Sequence, residues 1–319
     1  PGNPYVGQVW YNQNLGDLRI RKTNLNNAWS TGNPLNTARQ GVGQAGTQTA
    51  ALAFGGYDGT AVTAVTEQYN GTNWTEVADL NTARDSSAGF GATNAAAIYA
   101  GGSGTPDGAI TESWNGTSWT EVGNLNTARN TLAGNGTSTS GLVYGGYITT
   151  NQTLTESWNG SAWTEVADLN TAIRQNAGSG ADNTSALNFG GGPPATAATE
   201  LWNGTSWFTV NSLNTARNGL GGTGIATATL AFGGAQNPPT LTAVTESWNG
   251  SIWTETSDLN LARRSIKGAG TTTTALAFGG NPITGATEEW NANSAQGVWV
   301  TGGSLNTART HIRGAGVST

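Results

Sequence analysis

Cysteine and methionine are absent from the 319 residues of the chain, and His311 is the one histidine. The lack of cysteine excludes disulfide bonds, thiol catalysis and zinc–thiolate sites. A lone histidine cannot build a multi-histidine metal site, so we predict neither a metal centre nor a cofactor. The missing initiator methionine is expected of a processed chain or of a piece of a longer protein.

Charge is also scarce. Charged residues make up 10% of the chain and the net charge is −6. Nucleic-acid-binding proteins carry clustered Lys and Arg, and surface-bound membrane proteins carry basic patches that attract anionic lipids. A membrane-spanning helix needs about 18 or more consecutive apolar residues, and the sequence has no such run. We therefore expect no nucleic-acid partner and no membrane insertion.

The abundant feature is one phrase that recurs at a step of 44 to 46 residues. In each copy a Trp stands six residues before a Leu-Asn pair. The seven copies are Trp29/Leu35, Trp74/Leu80, Trp119/Leu125, Trp163/Leu169, Trp207/Leu213, Trp253/Leu259 and Trp299/Leu305. A fixed period in this range is typical of repeat architectures.

Four predicted strands make up each unit. A small-residue strand carries a Gly eleven positions after the Leu, and a hydrophobic strand ending in Gly-Gly follows, as in Leu52–Gly56. After a variable loop comes Thr-Glu-x-aromatic, which turns through Asn-Gly into the strand that carries the repeated Trp, as at Asn115-Gly116. Asn-Gly between two strands favours a type I′ hairpin. We therefore expect four antiparallel strands per repeat and no helix.

Radially arranged four-stranded units of this length form a β-propeller. We predict one all-β domain over residues 1–319, with seven blades. Three N-terminal strands, which begin with a hairpin of Val6–Asn12 and Leu18–Lys22, are expected to join one C-terminal strand in a composite blade of residues 1–39 and 310–319. The six complete blades are expected at residues 40–84, 85–129, 130–174, 175–217, 218–263 and 264–309.

These motifs resemble Kelch repeats along almost the whole chain. Kelch blades share the loop Arg, the strand ending in Gly-Gly, an aromatic turn and a Trp about six residues before a loop. The chain departs from Kelch in lacking the inner-strand His of many repeats and in using Asn-Gly where Kelch has Asp-Pro. A segment of about a dozen residues, Gly7–Arg19, is similar to one in bacteriophage tail-fibre and other virion proteins. The resemblances imply a propeller and an extracellular or virion location.

Two residue series are interpreted as structural positions of the repeat. The arginines are Arg39, Arg84, Arg129, Arg217, Arg263 and Arg309, with Ile173 in the remaining copy. A ring of arginines could bind anions, but pairing with the repeated glutamates Glu67, Glu112, Glu156, Glu200, Glu246 and Glu288 serves every blade alike. The tryptophans Trp29, Trp74, Trp119, Trp163, Trp207, Trp253 and Trp299 could stack on sugars, but packing between blades better explains their regular spacing.

No catalytic residues are predicted. The arginines occur one per blade instead of in a sialidase-like cluster, and the Cys and His ligands of Kelch-type copper oxidases are missing. A retaining glycosidase needs two carboxylates about 5 Å apart. The acidic residues outside the repeat positions are instead scattered, at Asp17, Asp58, Asp85, Asp107 and Asp182.

The loops after Gly-Gly vary most, and variable loops on a rigid scaffold are where recognition usually occurs. The candidate contacts are Tyr57, Asp58, Asp107, Tyr147, Gln236 and Asn237. We expect a non-enzymatic structural or adhesive module of a virion, which binds a host-surface glycan or protein or other virion proteins and can form a homo-oligomer within the assembly. The alternatives are a secreted bacterial carbohydrate-binding propeller and a glycan-active enzyme.

Overall fold

A computed structural model describes the backbone of residues 9–12, 17–104, 108–237 and 239–301, and the side chains within 27–292 apart from 105–107 and 238. All regular structure in these ranges is β-strand. The chain divides into two compact units, Trp29–Trp290 and a second unit of Pro1–Ala28 with Asn291–Thr319. In the second unit, β1 (Val9–Asn12) pairs antiparallel with the start of β2 (Asp17–Gly32), as the predicted hairpin requires.

The unit Trp29–Trp290 is a β-propeller of four-stranded antiparallel blades, numbered here in chain order. Blade 1 consists of β3 (Gly43–Thr47), β4 (Ala50–Phe54), β5 (Thr66–Tyr69) and β6 (Trp74–Val77). Blade 2 consists of β7 (Ala88–Thr93), β8 (Ala96–Ala100), β9 (Thr111–Trp114) and β10 (Trp119–Glu121). Blade 3 consists of β11 (Ala133–Thr137), β12 (Ser140–Tyr144), β13 (Thr155–Trp158) and β14 (Trp163–Val166).

The remaining three blades follow the same plan. Blade 4 consists of β15 (Ala177–Asp182), β16 (Ser185–Phe189), β17 (Thr199–Trp202) and β18 (Trp207–Val210). Blade 5 consists of β19 (Gly221–Ile225), β20 (Ala228–Phe232), β21 (Thr245–Trp248) and β22 (Trp253–Thr256). Blade 6 consists of β23 (Lys267–Gly270), β24 (Thr274–Phe278), the start of β25 (Thr287–Thr301) and the end of β2.

The prediction of seven blades is wrong: the propeller has six. The N-terminal copy of the phrase, with Trp29, supplies the fourth strand of blade 6. The composite blade therefore combines one N-terminal strand with three C-terminal strands, the reverse of the predicted proportion. In the third strand of this blade, Trp290 is not followed by the Asn-Gly turn, and β25 continues without a break to Thr301. The side chains of Trp299 and Arg309 lie outside the described residues.

Two sets of equivalent hydrogen bonds close the six-bladed ring. In each blade the fourth-strand Trp donates its indole N–H to a Thr hydroxyl of the preceding blade, at 3.1–3.3 Å. Trp29 of blade 6 donates to Thr245 of blade 5, and Trp74 of blade 1 donates to Thr287 of blade 6. In the second set, the Asn of each Leu-Asn loop donates to the carbonyl of a fourth-strand Trp. Blade 6 therefore makes the same links with Trp29 that the other blades make with their own Trp.

The fourth-strand Trp residues pack between neighbouring blades. All six described members of the series are at most 6% exposed. Each lies against an aromatic ring of the blade before it, as Trp119 does against Phe54 at a centroid distance of 4.8 Å and Trp207 against Tyr144 at 4.8 Å. Edge-to-face aromatic pairs of this kind add to the free energy of burying the rings. The repeated Trp therefore supplies contact area between blades and presents no open face for a sugar.

The repeated arginines form buried ion pairs with the repeated glutamates. The five pairs in the described residues are Arg39–Glu67, Arg84–Glu112, Arg129–Glu156, Arg217–Glu246 and Arg263–Glu288. Burial lowers the pKa of Arg39, and the carboxylate of Glu67 opposes that shift. Each glutamate also accepts backbone N–H groups of the Leu-Asn-Thr loop, as Glu67 does from Asn36 at 2.7 Å. The pair thus fixes the loop by which the chain enters each of these five blades.

The glycine eleven residues after the Leu meets its own blade, whereas other inner-strand glycines lie against the neighbouring blade, as at Gly89, where a Cβ atom would lie 2.6 Å from the backbone nitrogen of Gln44. At Gly46, where φ is +97°, a Cβ atom would lie 2.2 Å from the carbonyl oxygen of Ala50 in the adjacent strand of the same blade. At Gly136 it would lie 2.3 Å from the carbonyl oxygen of Ser140. Both contacts are with the paired strand of the same hairpin. The glycine is therefore needed to close the hairpin formed by the first two strands of a blade, such as β3 and β4.

Candidate binding face

The variable loops and the Leu-Asn-Thr-Ala-Arg loops meet at one end of the propeller. The residue after each buried Arg pairs by a short β-bridge or a backbone hydrogen bond with the first loop residue after Gly-Gly. Gln40 pairs in this way with Tyr57, and Asn130 pairs with Tyr147. We call this end the loop face. It comprises the residues that follow the buried Arg or Ile173, namely Gln40, Asp85, Asn130, Arg174, Asn218 and Arg264, together with the loops paired with them.

A closed ring of backbone hydrogen bonds surrounds the propeller axis at this face. We call it the axial ring, and its members are Gly41, Ser86, Thr131, Gln175, Gly219 and Ser265. Each N–H donates to the carbonyl oxygen of the member in the preceding blade, at 2.6–3.1 Å, and Gly41 closes the circle by donating to Ser265. All six have a left-handed φ between 52° and 62°. This conformation is costly for residues other than glycine, so four blades hold a strained residue to keep the ring closed.

Tyr147 is the predicted contact that lies in the most distinctive surroundings. Its ring lies under the guanidinium group of Arg174 from the next blade, with the Arg174 Cζ atom 4.1 Å from the ring centroid. Arg174 has no ion pair among the described side chains, and its Nε atom is buried without a hydrogen-bond partner. A cation over an aromatic face is attracted by the ring quadrupole. The stacking orients a guanidinium group whose charge is not neutralised by a carboxylate.

Tyr57 and Asp58 stabilise their own loop in blade 1. The Tyr57 hydroxyl donates to the carbonyl of Gly59 at 2.9 Å. The Asp58 carboxylate accepts the backbone N–H groups of Thr60 and Ala61 and the Thr60 hydroxyl, at 2.7–2.9 Å. These bonds, led by that from Ala61, lower the pKa of Asp58 to about 2. A carboxylate held in this way is a weak base, and its oxygen is occupied by the turn.

The predicted contacts do not form one cluster. Tyr57, Tyr147 and Gln236 belong to blades 1, 3 and 5, which alternate around the axis. The backbone of Gln236 closes its own loop by donating to Thr240 at 3.0 Å, and Asn237 is exposed beside it. Asp107 lies outside the described residues. The structure therefore brings Tyr147 to Arg174 but leaves the other candidates on separate blades.

Sequence reasoning missed the three cations that depart from the repeat. The five Arg residues in ion pairs are buried, whereas Arg174, Arg264 and Lys267 form no ion pair within the described side chains. Arg174 and Arg264 both follow the buried-Arg position on the loop face, and Lys267 begins the inner strand of blade 6. Their signal was present in the sequence: the other four blades have Gln, Asp or Asn where Arg174 and Arg264 stand, and the other five have Gly or Ala where Lys267 stands.

The propeller channel differs at its two ends. Away from the loop face it widens into a vestibule of about 340 Å³, lined by small inner-strand residues such as Gly46, Gly136 and Gly224. At the loop face a cavity of about 70 Å³ is bounded by the axial ring and Lys267. Burial lowers the pKa of Lys267 from 10.5 to about 8. Lys267 is half-buried and lines both this cavity and the channel.

Within the described ranges, no three His, Cys, Asp or Glu residues are grouped so that they could hold a metal ion. The same ranges contain no helix long and apolar enough to cross a membrane. A scan of protein-family models gave no match for the chain, and a search of curated proteins gave none either.

Proposed function

We propose that the chain is a non-catalytic recognition module of a virion, and that it binds a host-surface glycan or protein through its loop face. The Kelch-like repeats and the tail-fibre-like segment Gly7–Arg19 support this assignment as resemblances. In the same proposal the module is extracellular, contacts other virion proteins and can form a homo-oligomer within the assembly.

The observation that carries the proposal is the stacked pair of Tyr147 and Arg174. The five repeat Arg residues that the structure describes are buried against glutamates and cannot reach a ligand. Arg174 instead lies partly exposed at the loop face, held over Tyr147 with its charge unpaired. A planar guanidinium group recognises carboxylates through two parallel hydrogen bonds. An acidic sugar or an acidic protein segment is therefore the partner that this pair suits best.

Because the repeat tryptophans are buried, the alternative function of carbohydrate binding also points to Tyr147 and Arg174. No described Trp of the repeat offers a ring face to solvent, since their exposures are 4–6%. On the loop face, the partly exposed Tyr147 and Tyr57 are the described aromatic residues that could stack on a sugar. The stacked pair is thus the first site to test for either kind of glycan-binding protein.

Binding of the fluorescently labelled chain to bacterial cells and to an array of neutral and acidic glycans tests the proposal. We expect Arg174→Ala and Tyr147→Ala each to weaken binding by about tenfold or more, as is typical for Arg and Tyr at the centre of an interface. Phe208→Thr is the matched control, because Phe208 is exposed on the outer strand of blade 4, where four other blades have Thr.

The readouts separate the parts of the proposal. Unchanged binding by both site variants, or equal loss with Phe208→Thr, would place recognition elsewhere. Release of sugar products from any bound glycan would instead identify an enzyme. Immunogold labelling of phage particles with an antibody against the chain tests the virion assignment directly, and a protein confined to the bacterial surface would refute it.

A further inference from the structure

Lys267 occupies a position at which the other blades have only Gly or Ala. It begins the inner strand of blade 6 and pairs with Phe278, as Gly43 pairs with Phe54 in blade 1. The equivalent residues of blades 2 to 5 are Ala88, Ala133, Ala177 and Gly221. At this position beside the channel, Lys267 is therefore the one long, cationic side chain, and the other five blades have Gly or Ala.

Lys267 lines two connected spaces on the axis. One is the cavity of about 70 Å³ bounded by the axial ring, and the other is the narrow channel beneath it, which residues from all six blades line. No carboxylate lines either space among the described residues, and Lys267 makes no hydrogen bond or ion pair with them. An uncompensated charge in a poorly solvated space is unfavourable, so a counter-charge beside Lys267 would stabilise its ammonium group.

We propose that Lys267 and the axial ring form a binding site for a small monovalent anion, such as chloride, on the channel axis. The ammonium group supplies the charge. Ser265 and Gln175 line the same cavity and carry polar side chains. The backbone N–H groups of the axial ring are already donated within the ring, so the anion depends on Lys267.

The size and electrostatics of the cavity restrict the ligand. Holding one water molecule takes about 10–15 Å³ of such a space, so a cavity of about 70 Å³ has room for a small anion together with a few water molecules. The carboxylate of Asp85 lies beside the axial ring, where it accepts the Ser86 hydroxyl at 3.1 Å, and Asp85 does not line the cavity. Its negative charge favours a singly charged ligand over a multiply charged one.

Chloride binding can be measured by the excess broadening of the chloride-35 NMR signal during titration with the purified chain. We expect Lys267→Ala to weaken binding by about tenfold or more, because hydrogen bonds to a charged group are the strongest polar contacts. The variant carries Ala, which is the residue that three other blades have at this position. Circular dichroism verifies that it stays folded.

A transplanted lysine tests whether the axis, and not blade 6 alone, forms the site. Ala133 occupies the equivalent position in blade 3, which lies opposite blade 6 in the ring. We expect Ala133→Lys in the Lys267→Ala background to restore chloride broadening. Crystals grown in bromide are expected to show an anomalous peak on the axis beside Lys267. Unchanged broadening in Lys267→Ala, a folded transplant that does not bind, or bromide found only elsewhere would overturn the proposal.

Discussion

Blade 3 and blade 4 have the same four-stranded arrangement but differ in how a buried carboxylate is accommodated. In blade 3, Glu156 forms an ion pair with Arg129, and both side chains are almost fully buried. In blade 4 the equivalent Glu200 is 2% exposed, and Ile173 replaces the arginine. Glu200 still accepts two bonds from Asn170 and one from the Thr171 N–H, at 2.8–3.1 Å. The loop can therefore be held by the carboxylate without a cation.

The same blade departs from the repeat at neighbouring positions. Asn176 and Asn188 form a buried hydrogen bond of 2.6 Å, where blade 3 has Leu132 and Val143. Blade 4 lacks a positive charge at Ile173 but has one at the next residue, Arg174, on the loop face. Loss of the buried Arg and gain of an outward-facing one thus occur together. The comparison teaches that departures from the repeat, and not the repeat itself, identify the groups available for binding.

The largest effect is expected on removing the cation from blade 3. Arg129→Ile copies blade 4 at one position and leaves Glu156 buried without its partner. Breaking a buried ion pair from one side typically costs about 3–5 kcal/mol, and we expect a loss of that order in urea unfolding. Ile173→Val, which keeps blade 4 apolar, is the control. A loss below about 1 kcal/mol would show that N–H donors alone hold the carboxylate in both blades.

A second effect follows from Lys267 and depends on pH. Its pKa is lowered from 10.5 to about 8 in the folded chain, so the unfolded chain binds the proton more tightly. Between pH 8 and 10.5 the free energy of unfolding should therefore rise with pH, by at most about 3 kcal/mol and by less where channel water solvates the ammonium group. The measurement is urea unfolding across this pH range at low chloride.

The control for the pH effect is Lys267→Ala, in which the rise should be absent. Subtracting the two profiles is necessary because burial raises the pKa of Tyr99 to about 12, so its phenol stabilises the fold below pH 10 and loses that contribution as the pH rises further. Identical profiles for the two proteins would show that the channel solvates Lys267 as well as bulk water does.

Much of the propeller could be predicted from local patterns. The Asn-Gly turns, the Gly-Gly strand ends and the spacing of Trp and Leu define the four strands of each blade, and the repeated Arg and Glu form the expected ion pairs. The number of blades could not be taken from the Trp copies, because the ring needs one fourth strand per blade and Trp29 supplies that of blade 6. Counting the Gly-Gly strands, of which there are six, predicts the ring correctly.

The proposed binding groups were harder to predict, because their positions depend on contacts between blades. The pairing of Tyr147 with Arg174 joins loops of blades 3 and 4, and no spacing within one repeat indicates it. Lys267 lines the channel only because its inner strand faces the axis. Lys267 could have been found by comparing each copy with the others, since a long charged residue at a Gly or Ala position is an exception that packing does not explain.

The smallest effect concerns the asparagine pair of blade 4. Asn176→Leu alone should destabilise the chain by about 1–3 kcal/mol, because it leaves the Asn188 amide buried without its donor. Adding Asn188→Val reproduces the Leu132 and Val143 combination of blade 3, and replacing both partners by apolar groups of similar shape is often nearly neutral. The double variant should therefore recover most of the loss in urea unfolding. If the double variant remains as unstable as Asn176→Leu, then blade 4 needs the asparagine pair because it has Ile173 in place of the buried arginine. The departures within blade 4 then depend on one another.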